Sequence, residues 1–298
     1  MQRSNQNKSQ FLKEYRPRLS EEEYNLILKS RGDNVLSSSG KTKILVFDIE
    51  TSPLMGYVWS MWKQNVSSSQ LISDWFMLTW SAKWLFEDEI FGDSLTKDET
   101  LKQDDKRLTK GIWDLLDQAD IVIAHNGDKF DLRSLNTRFL YHGFNNPSPY
   151  QSIDTLKHAR KHLRISSNRL DYIGQFFGIG RKMEHTGFDL WSGFLKGNKD
   201  AMKLMLDYNK QDVKLLEDVY LKLRPFIKPH PNLSLFIGDN ISRCPTCTSN
   251  NIEPSGEYHT YTNVYEALRC KDCGSMSRSR TSLTPLKENK NLNTSLPK

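Results

Sequence analysis

The chain has 298 residues, of which 37% are hydrophobic and 11% aromatic, enough apolar material for one large packed domain or for one domain and a small module. No apolar stretch approaches the roughly 18 residues of a membrane span, and the N-terminus lacks the apolar centre of a signal peptide, so we predict a cytoplasmic protein without membrane attachment. The net charge of +6 excludes a strongly acidic protein.

Basic residues are concentrated at the two ends of the chain. Residues 1–43 contain nine Lys and Arg against five Asp and Glu, and residues 241–298 contain eight against five. Basic flanks around a nearly neutral body are typical of proteins that bind a polyanion, most often nucleic acid. Solvated tails that only improve solubility are the alternative, and charge alone does not separate the two.

Residues 1–42 form the first predicted segment, a polar and basic arm. Ser20 and Gly32 have the positions of a helix cap and a helix stop, which predicts one short helix inside the arm. The sequence LSSSGKT is typical of a linker, and the body of the protein begins at Lys43. The apolar run KILVF that starts there predicts a buried strand.

Apolar periodicity predicts the next elements. Two aromatic-rich runs, WFMLTWSAKWLF and EIFGDSL, predict strands, and the helical spacing of DKRLTKGIWDLLDQAD leads into another buried strand, IVIAHN. The helices that follow are DLRSLNTRFLYHG, SIDTLKHARKHL, SNRLDYIGQFFG and DAMKLMLDYNKQDVKLLEDVYLKLRPF. Strands followed by alternating strands and helices predict an α/β fold, a mixed sheet flanked by helices, over residues 43–235.

The composition changes after this body. Residues 241–277 are rich in turns and contain all four cysteines, which predicts a separate small module. Residues 278–298 have the polar, basic composition of a disordered tail.

Acidic residues are attached to three elements of the predicted body. Asp48 and Glu50 end the first apolar run, and side chains at i and i+2 of a strand point to the same face. Asp131 lies at the start of a helix after the strand IVIAHN, while Tyr208 and Asp212 share one face of the last helix. Clustered like charges do not stabilise a fold by themselves, so we predict that divalent cations compensate them.

The three motifs resemble those of the DEDD (DnaQ-like) exonucleases, a branch of the ribonuclease-H-like fold. FDIET matches the family's Asp-x-Glu motif, HNGDKFD matches the second motif of Asn, aromatic residue and Asp, and YNKQD matches the third. The third motif has the tyrosine form, Tyr-x3-Asp, because position 207 is Asp and the histidine form requires His there. The resemblance covers residues 43 to about 228 and implies the tyrosine (DEDDy) subtype.

The resemblance implies a metal-dependent 3′→5′ exonuclease that hydrolyses single-stranded ends to nucleoside monophosphates. Asp48, Glu50, Asp131 and Asp212 would be the catalytic ligands of two Mg²⁺ or Mn²⁺ ions. Both are hard cations that prefer carboxylate oxygens and can clamp the attacking and leaving oxygens of a phosphodiester. Tyr208 would orient or help to activate the attacking water.

Residues close to the motifs are candidates for substrate binding. By the resemblance, Thr51 and Leu54 lie where enzymes of this family often touch the terminal nucleotide. His125 and Asn126 precede the acid of the second motif, and they either hydrogen-bond the substrate or brace the loop. Asp154 opens the next helix and is best explained as its N-cap.

Lys157 and Arg160 belong to a basic stripe that recurs at helical spacing along KHARKHLR. Such a stripe either follows a phosphate backbone or forms an ordinary solvated face.

Tyr57, Trp59 and Trp62 follow the first motif within the sequence GYVWSMWKQN. Packing in the core is the more frequent fate of Trp side chains. Stacking on unpaired bases near the acidic site is the alternative.

The cysteines form two CxxC pairs, with 22 residues between the pairs. Two such pairs can complete a tetrahedral site of four thiolates, so Cys244, Cys247, Cys270 and Cys273 predict one structural Zn²⁺ in a zinc ribbon. The spacer is slightly longer than the usual span of roughly 15–20 residues, which a β-ribbon accommodates. Disulfides or redox thiols are the alternative.

Two other functions remain compatible with the sequence. The ribonuclease-H-like fold also hosts endonucleases that act on structured DNA or on RNA–DNA hybrids, and a non-catalytic nucleic-acid-binding or adaptor protein would keep the basic flanks. We expect nucleic acid as the partner, with DNA favoured over RNA, and a replication or repair protein as a further candidate.

Overall fold

The computed structural model describes residues 42–183, 186–237 and 241–284. The predicted N-terminal arm therefore lies almost wholly outside the described residues, as does most of the predicted C-terminal tail. The described chain divides into two compact units. Lys43–Tyr220 belongs to the first unit, and Thr42 and the residues from Leu221 onward belong to the second.

The first unit is built on a five-stranded mixed sheet. Its strands, together with a separate pair formed by β2 and β3, are β1 (Ile44–Thr51), β2 (Met55–Gly56), β3 (Leu71–Ser73), β4 (Met77–Trp84), β5 (Phe91–Ser94), β6 (Ile121–Ala124) and β7 (Gln151–Asp154). The strand order is β5-β4-β1-β6-β7, in which β1, β6 and β7 are parallel and β4 runs antiparallel to both β1 and β5. This arrangement confirms the predicted mixed α/β sheet.

Helices flank the sheet. They are α1 (Lys97–Lys102), α2 (Lys106–Leu116), α3 (Asp131–His142), α4 (Thr155–His162), α5 (Leu170–Phe176), α6 (Phe188–Leu195) and α7 (Lys199–Leu223). Among the described residues, none of the helices combines the length and the apolar character needed to cross a membrane.

The core surrounds the central strand β1. Leu45, Val46 and Phe47 are all fully buried, so β1 is covered on both faces, as expected of a strand in the middle of a helix-flanked sheet. Helix α2 packs onto the sheet through Leu108 and Ile112 among others. The indole N–H of Trp80 on β4 donates to the carbonyl of Leu108 at 3.0 Å, which ties α2 to the sheet.

A buried ion pair holds α7 against the sheet. Glu217 on α7 accepts hydrogen bonds from the ammonium group of Lys83 on β4 and from the backbone N–H of Phe86, the latter at 2.9 Å. Both side chains of the pair are nearly inaccessible to solvent. This contact fixes the helix that carries the third sequence motif.

The structure contains several elements that were not predicted, among them α1, β2 and β3. Ser152–Asp154, predicted as the first turn of a helix, belongs instead to strand β7, and helix α4 begins at Thr155. The carboxylate of Asp154 accepts hydrogen bonds from the N–H groups of Leu156 and Lys157 at 3.0 and 3.2 Å, so its predicted N-cap role is confirmed. Helix α6 was not predicted.

The second unit contains a three-stranded antiparallel sheet of β8 (Ile252–His259), β9 (Val264–Cys270) and β10 (Met276–Ser282), in the order β10-β9-β8. The sequence EYHTYTNVYEALRC forms a hairpin, because the N–H of Thr260 donates to the carbonyl of Asn263 where the chain reverses.

The predicted domain limits differ from the observed units. Strand β10 includes residues 278–282, so the prediction that the disordered tail begins at residue 278 is wrong for these five positions. The N–H of Leu233 donates to the carbonyl of Pro245 at 2.7 Å, and Ser234 Oγ donates to the carbonyl of Cys244. The predicted limit at residue 235 therefore falls inside the second unit.

Candidate active site

The topology of the first unit brings the motif acids to one end of the sheet. Asp48 and Glu50 lie near the carboxyl end of β1, and Asp131 is the first residue of α3, which follows β6. Since β1 and β6 are parallel neighbours, their carboxyl ends meet at the same edge. Helix α7 contributes Tyr208 and Asp212 from one of its faces.

The carboxylates converge closely. One oxygen each from Asp48, Glu50 and Asp212 lie within 4.8 Å of one another. Asp131 lies beside them, because its Oδ1 accepts a hydrogen bond at 3.2 Å from the N–H of Ile49, the residue between the two acids of β1. Asp131 and Asp212 are each only 1% exposed.

The electrostatics of this cluster are unfavourable for four ionised acids. Burial raises the pKa of Asp48 well above its usual range, and the neighbouring carboxylates of Asp131, Glu50 and Asp212 raise it further. Burial also raises the pKa of Glu50 to about 8 and that of Asp131 to about 7. The pKa of Asp212 is raised for the same reason. Cations are needed if all four are to be ionised together.

Lys182 is a functional candidate that the sequence did not reveal. Its Nζ lies 2.5 Å from Asp212 Oδ2 and donates to the hydroxyl of Tyr208 at 2.9 Å. Burial opposes the charge of Lys182, but Asp212, Asp48 and Tyr208 together raise its pKa above the usual value. The residue precedes α6 in an irregular segment, where no periodicity or motif marks it.

Asn209 is a second residue that the motifs did not single out. Its side-chain amide donates to Asp48 Oδ2 at 2.6 Å, so α7 holds the first acid of β1 directly. The only available signal was its position inside YNKQD, next to Tyr208.

Tyr208 is buried, and its hydroxyl lies among charged groups. Burial raises the pKa of Tyr208 to about 12, and the nearby carboxylate of Asp212 contributes. The phenol is therefore neutral near pH 7, able to accept one hydrogen bond and to donate another.

His125 and Asn126 brace the loop between β6 and α3. His125 Nδ1 lies 2.9 Å from the hydroxyl of Thr155, and its Nε2–H donates to the carbonyl of Asn168 at 3.0 Å. Asn126 has a left-handed backbone with φ +72°, and its N–H donates to Asp154 Oδ1 at 3.0 Å. These contacts favour the bracing role over the direct substrate contact for both residues.

The other predicted substrate-binding residues differ in whether they line one of two cavities. Thr51 lines a cavity of about 440 Å³ with Trp191, whose indole N–H donates to the carbonyl of Thr51 at 3.1 Å. Leu54 is exposed and is not part of this cavity wall. Arg160 lines a larger cleft beside the acids, whereas Lys157 is not part of its lining and lies 3.4 Å from the carboxylate of Asp128.

The aromatic residues after the first motif do not enter the core. Tyr57 is 74%, Trp59 94% and Trp62 80% exposed. Core packing, the more frequent fate of Trp, is therefore the wrong expectation for this segment. Stacking on bases stays a prediction.

A comparison with protein families now decides the classification. A model described as RNase_H superfamily matches residues 45–224, which include the four clustered acids and Tyr208. The chain belongs to the RNase_H superfamily. Membership confirms the ribonuclease-H-like part of the fold prediction.

Comparisons with individual proteins add little to this superfamily assignment. No curated protein matches the chain. Among solved structures, the family B DNA polymerase from the hyperthermophilic archaeon Pyrobaculum calidifontis is similar, with 15% identity and a TM-score of 0.48. The similarity covers 67% of this chain and 27% of the polymerase. The chain therefore corresponds to much less than two thirds of the polymerase's length.

The second unit contains a separate cluster of thiols. The sulfur atoms of Cys244, Cys247, Cys270 and Cys273 all lie within 4.8 Å of one another, and all four cysteines are free. Burial raises the pKa of Cys247 above its usual range. Burial also acts to raise the pKa of Cys273, but hydrogen bonds with Ser275 and with the neighbouring thiols lower it to about 7. The cluster has the donor set of a four-thiolate zinc site.

Proposed function

We propose that this RNase_H superfamily protein is a metal-dependent nuclease of the tyrosine DEDD subtype, which removes nucleotides from the 3′ ends of single strands. The observation that carries the proposal is the convergence of Asp48, Glu50 and Asp212 within 4.8 Å, with Asp131 against them. The subtype and the 3′→5′ polarity rest on the motif resemblance.

The residues of this cluster fit divalent cations. They are hard oxygen donors, and Asp212 Oδ1 is buried without a hydrogen-bond partner, which leaves it available as a ligand. The ammonium group of Lys182 already lies against Asp212 and compensates part of the negative charge. Asp48, Glu50, Asp131 and Asp212 would hold two Mg²⁺ or Mn²⁺ ions. When bound, these ions supply Lewis-acid stabilisation of the attacking and leaving oxygens.

The chain's own residues would position the remaining reactants. The neutral hydroxyl of Tyr208 would orient the attacking water from the position that its hydrogen bond with Lys182 gives it. Asn209 would keep Asp48 in place. Water adds to phosphorus, the P–O3′ bond breaks, the 3′ oxygen of the shortened strand takes up a proton, and a nucleoside 5′-monophosphate leaves.

The thiol cluster would hold one structural Zn²⁺. Four thiolates close the coordination shell and leave no position for a reacting molecule, so this metal would stabilise the second unit rather than take part in hydrolysis. We also propose DNA ahead of RNA as the substrate, and a replication or repair protein as a further partner.

End-labelled substrates test the proposed hydrolysis. The full chain would be incubated with 5′-labelled single-stranded DNA and RNA, with Mg²⁺, with Mn²⁺ and with chelator. We expect a ladder that shortens from the 3′ end, no reaction with chelator, and at least about a hundredfold loss in Asp48→Ala.

Two further substrates separate an exonuclease from an endonuclease. A strand with a blocked 3′ end and a covalently closed circle should both resist cleavage. Cleavage of the circle would identify an endonuclease, and undiminished hydrolysis by Asp48→Ala would reject the site itself.

A further inference from the structure

An open cleft of about 940 Å³ adjoins the acidic cluster in the first unit. Residues from α4, α5, α7 and the segments around them line it, among them His125, Arg160, Asn168, Arg169, Lys182 and Tyr208. Lys182 and Tyr208 are the same groups that contact Asp212 at the cluster. The cleft and the acidic cluster therefore share a wall.

The lining of this cleft is strongly basic. It includes Arg160, Arg169, Arg181 and Lys182 against a single carboxylate, that of Asp171. This carboxylate is already engaged, because its two oxygens accept from the N–H of Lys182 at 2.8 Å and from the side-chain amide of Gln175 at 2.6 Å.

Arg160 and Arg169 are available to a ligand. Both are exposed, and neither guanidinium has an ion pair or hydrogen bond to any of the described residues. Lys157, one turn before Arg160, is turned instead to Asp128 and is absent from the lining. The basic stripe predicted from the sequence is thus divided, and only part of it faces the cleft.

The wall that carries Arg169 is held in place by His125. The imidazole lies between the hydroxyl of Thr155 at the start of α4 and the carbonyl of Asn168, directly before Arg169. Burial lowers the pKa of His125 to about 4, so the ring is neutral near pH 7 and serves as a brace rather than as a cation. A wall fixed before binding loses little entropy when a ligand arrives.

We propose that this cleft binds the phosphodiester backbone of the single strand next to the bond that is cleaved, with Arg160 and Arg169 contacting its phosphates. Guanidinium groups suit phosphate oxygens because they donate two parallel hydrogen bonds. The volume is at the upper end for small-ligand pockets and accommodates a short stretch of one strand. The assignment of this strand as substrate rests on the nuclease proposed above.

Binding without cleavage tests the cleft directly. A labelled single strand of about 12 nucleotides would be titrated with the full chain in chelator, over a series of salt concentrations. We expect Arg160→Ala and Arg169→Ala each to weaken binding about tenfold. Each should also lower the slope of log K against log salt by about 0.7, the value for one phosphate contact on a single strand.

Two control variants separate a phosphate contact from a general loss of charge. Lys203→Ala removes one positive charge from an exposed position of α7 outside the cleft, and it should leave affinity and slope unchanged. Arg160→Lys keeps the charge, so it should retain most of the slope while losing part of the affinity. Unaltered thermal unfolding would confirm that each variant is folded.

Kinetics with Mn²⁺ distinguish a strand-binding cleft from the catalytic residues. On the longer strand the two alanine variants should raise KM and leave kcat nearly unchanged, and on a dinucleotide they should match the unsubstituted chain. Wild-type affinity in both variants, an equal loss on the dinucleotide, or competition by an acidic peptide as strong as that by the strand would overturn the proposal.

The two proposals fail in different ways. If neither arginine variant changes hydrolysis, the proposed nuclease activity is retained and the proposed strand-binding role of the cleft is rejected. If the strand binds in an arginine-dependent way but is not hydrolysed with any metal, the strand-binding role of the cleft is supported and the proposed nuclease activity is rejected.

Discussion

Individual side chains at the acidic cluster show which part of the site the sequence could reveal. Asp48, Glu50, Asp131 and Asp212 were predicted because strand and helix periodicity, together with the three motifs, fix where such side chains point. Lys182 could not be predicted in this way. It reaches Asp212 from an irregular segment, and only the packing of that segment against α7 brings the two charges together.

The raised pKa values predict how stability depends on pH without metal. Burial raises the pKa of Glu50 from 4.5 to about 8, so the folded chain binds a proton that the unfolded chain has released between these values. In chelator the free energy of unfolding should therefore fall as pH rises from about 5 to about 8, by up to about 1.4 kcal/mol per pH unit for each such group. Urea unfolding at several pH values measures this slope.

The neutral isostere Glu50→Gln is the matched variant for that measurement. It should flatten the slope by removing one titrating group, and saturating Mg²⁺ should reduce the slope in the unsubstituted chain. A free energy of unfolding that increases over this pH range would contradict the proposed arrangement of charges.

The contacts of Lys182 lead to a second prediction, on metal affinity and hydrolysis. Lys182→Met removes the positive charge nearest to Asp212, so the cluster becomes more negative and should bind Mn²⁺ several-fold more tightly in a calorimetric titration. Hydrolysis should nevertheless decrease, because Tyr208 loses the donor that positions its hydroxyl. Weaker metal binding in this variant would mean that Lys182 supports the metal site rather than competing with it.

Among the structural elements, those with a clear apolar pattern were predictable and those with a weak one were not. β1, β4, α2 and α7 follow clear apolar patterns, and α3 ends at Gly143, which has a left-handed backbone. Strand β7 was missed because Gln151–Asp154 contains one apolar residue, Ile153, whereas β6 has the same length and is apolar throughout. Helix α6 contains Gly193 and aromatic residues, which weaken its helical signal.

The exposed tryptophans in the segment between β1 and β4 lead to a further prediction. Because Trp59 and Trp62 are almost fully exposed, their replacement by Ala should change the free energy of unfolding very little. If they stack on bases, each replacement should weaken binding of a single strand by about 1–3 kcal/mol, measured by fluorescence anisotropy. Unchanged affinity in the double variant would assign this surface to another partner.

The cysteine cluster predicts a metal-dependent second unit. Native mass spectrometry should find one zinc ion per chain, and Cys270→Ser should lose it. Since the strands of such a small unit enclose little apolar surface, removing zinc should unfold it, which amide exchange of β8, β9 and β10 would report. Slow exchange throughout these strands in a zinc-free, fully reduced chain would contradict a structural metal.

For the whole molecule, the sequence predicted the architecture of the domains better than the position of the boundary between them. The mixed sheet and the second module follow from composition and periodicity. The boundary at residue 235 was misplaced because the residues around Leu233 carry no pattern of their own, and only their hydrogen bonds to Pro245 and Cys244 show which unit they join. Tertiary contacts of this kind have no local signal.

The central claim concerns four carboxylates that gather at one end of the sheet to hold divalent cations against a phosphodiester. Anomalous diffraction from crystals soaked in Mn²⁺ measures this most directly. The claim predicts manganese peaks bounded by Asp48, Glu50, Asp131 and Asp212, which are lost in Asp212→Asn. Manganese bound only elsewhere, or peaks that persist unchanged in that variant, would contradict it.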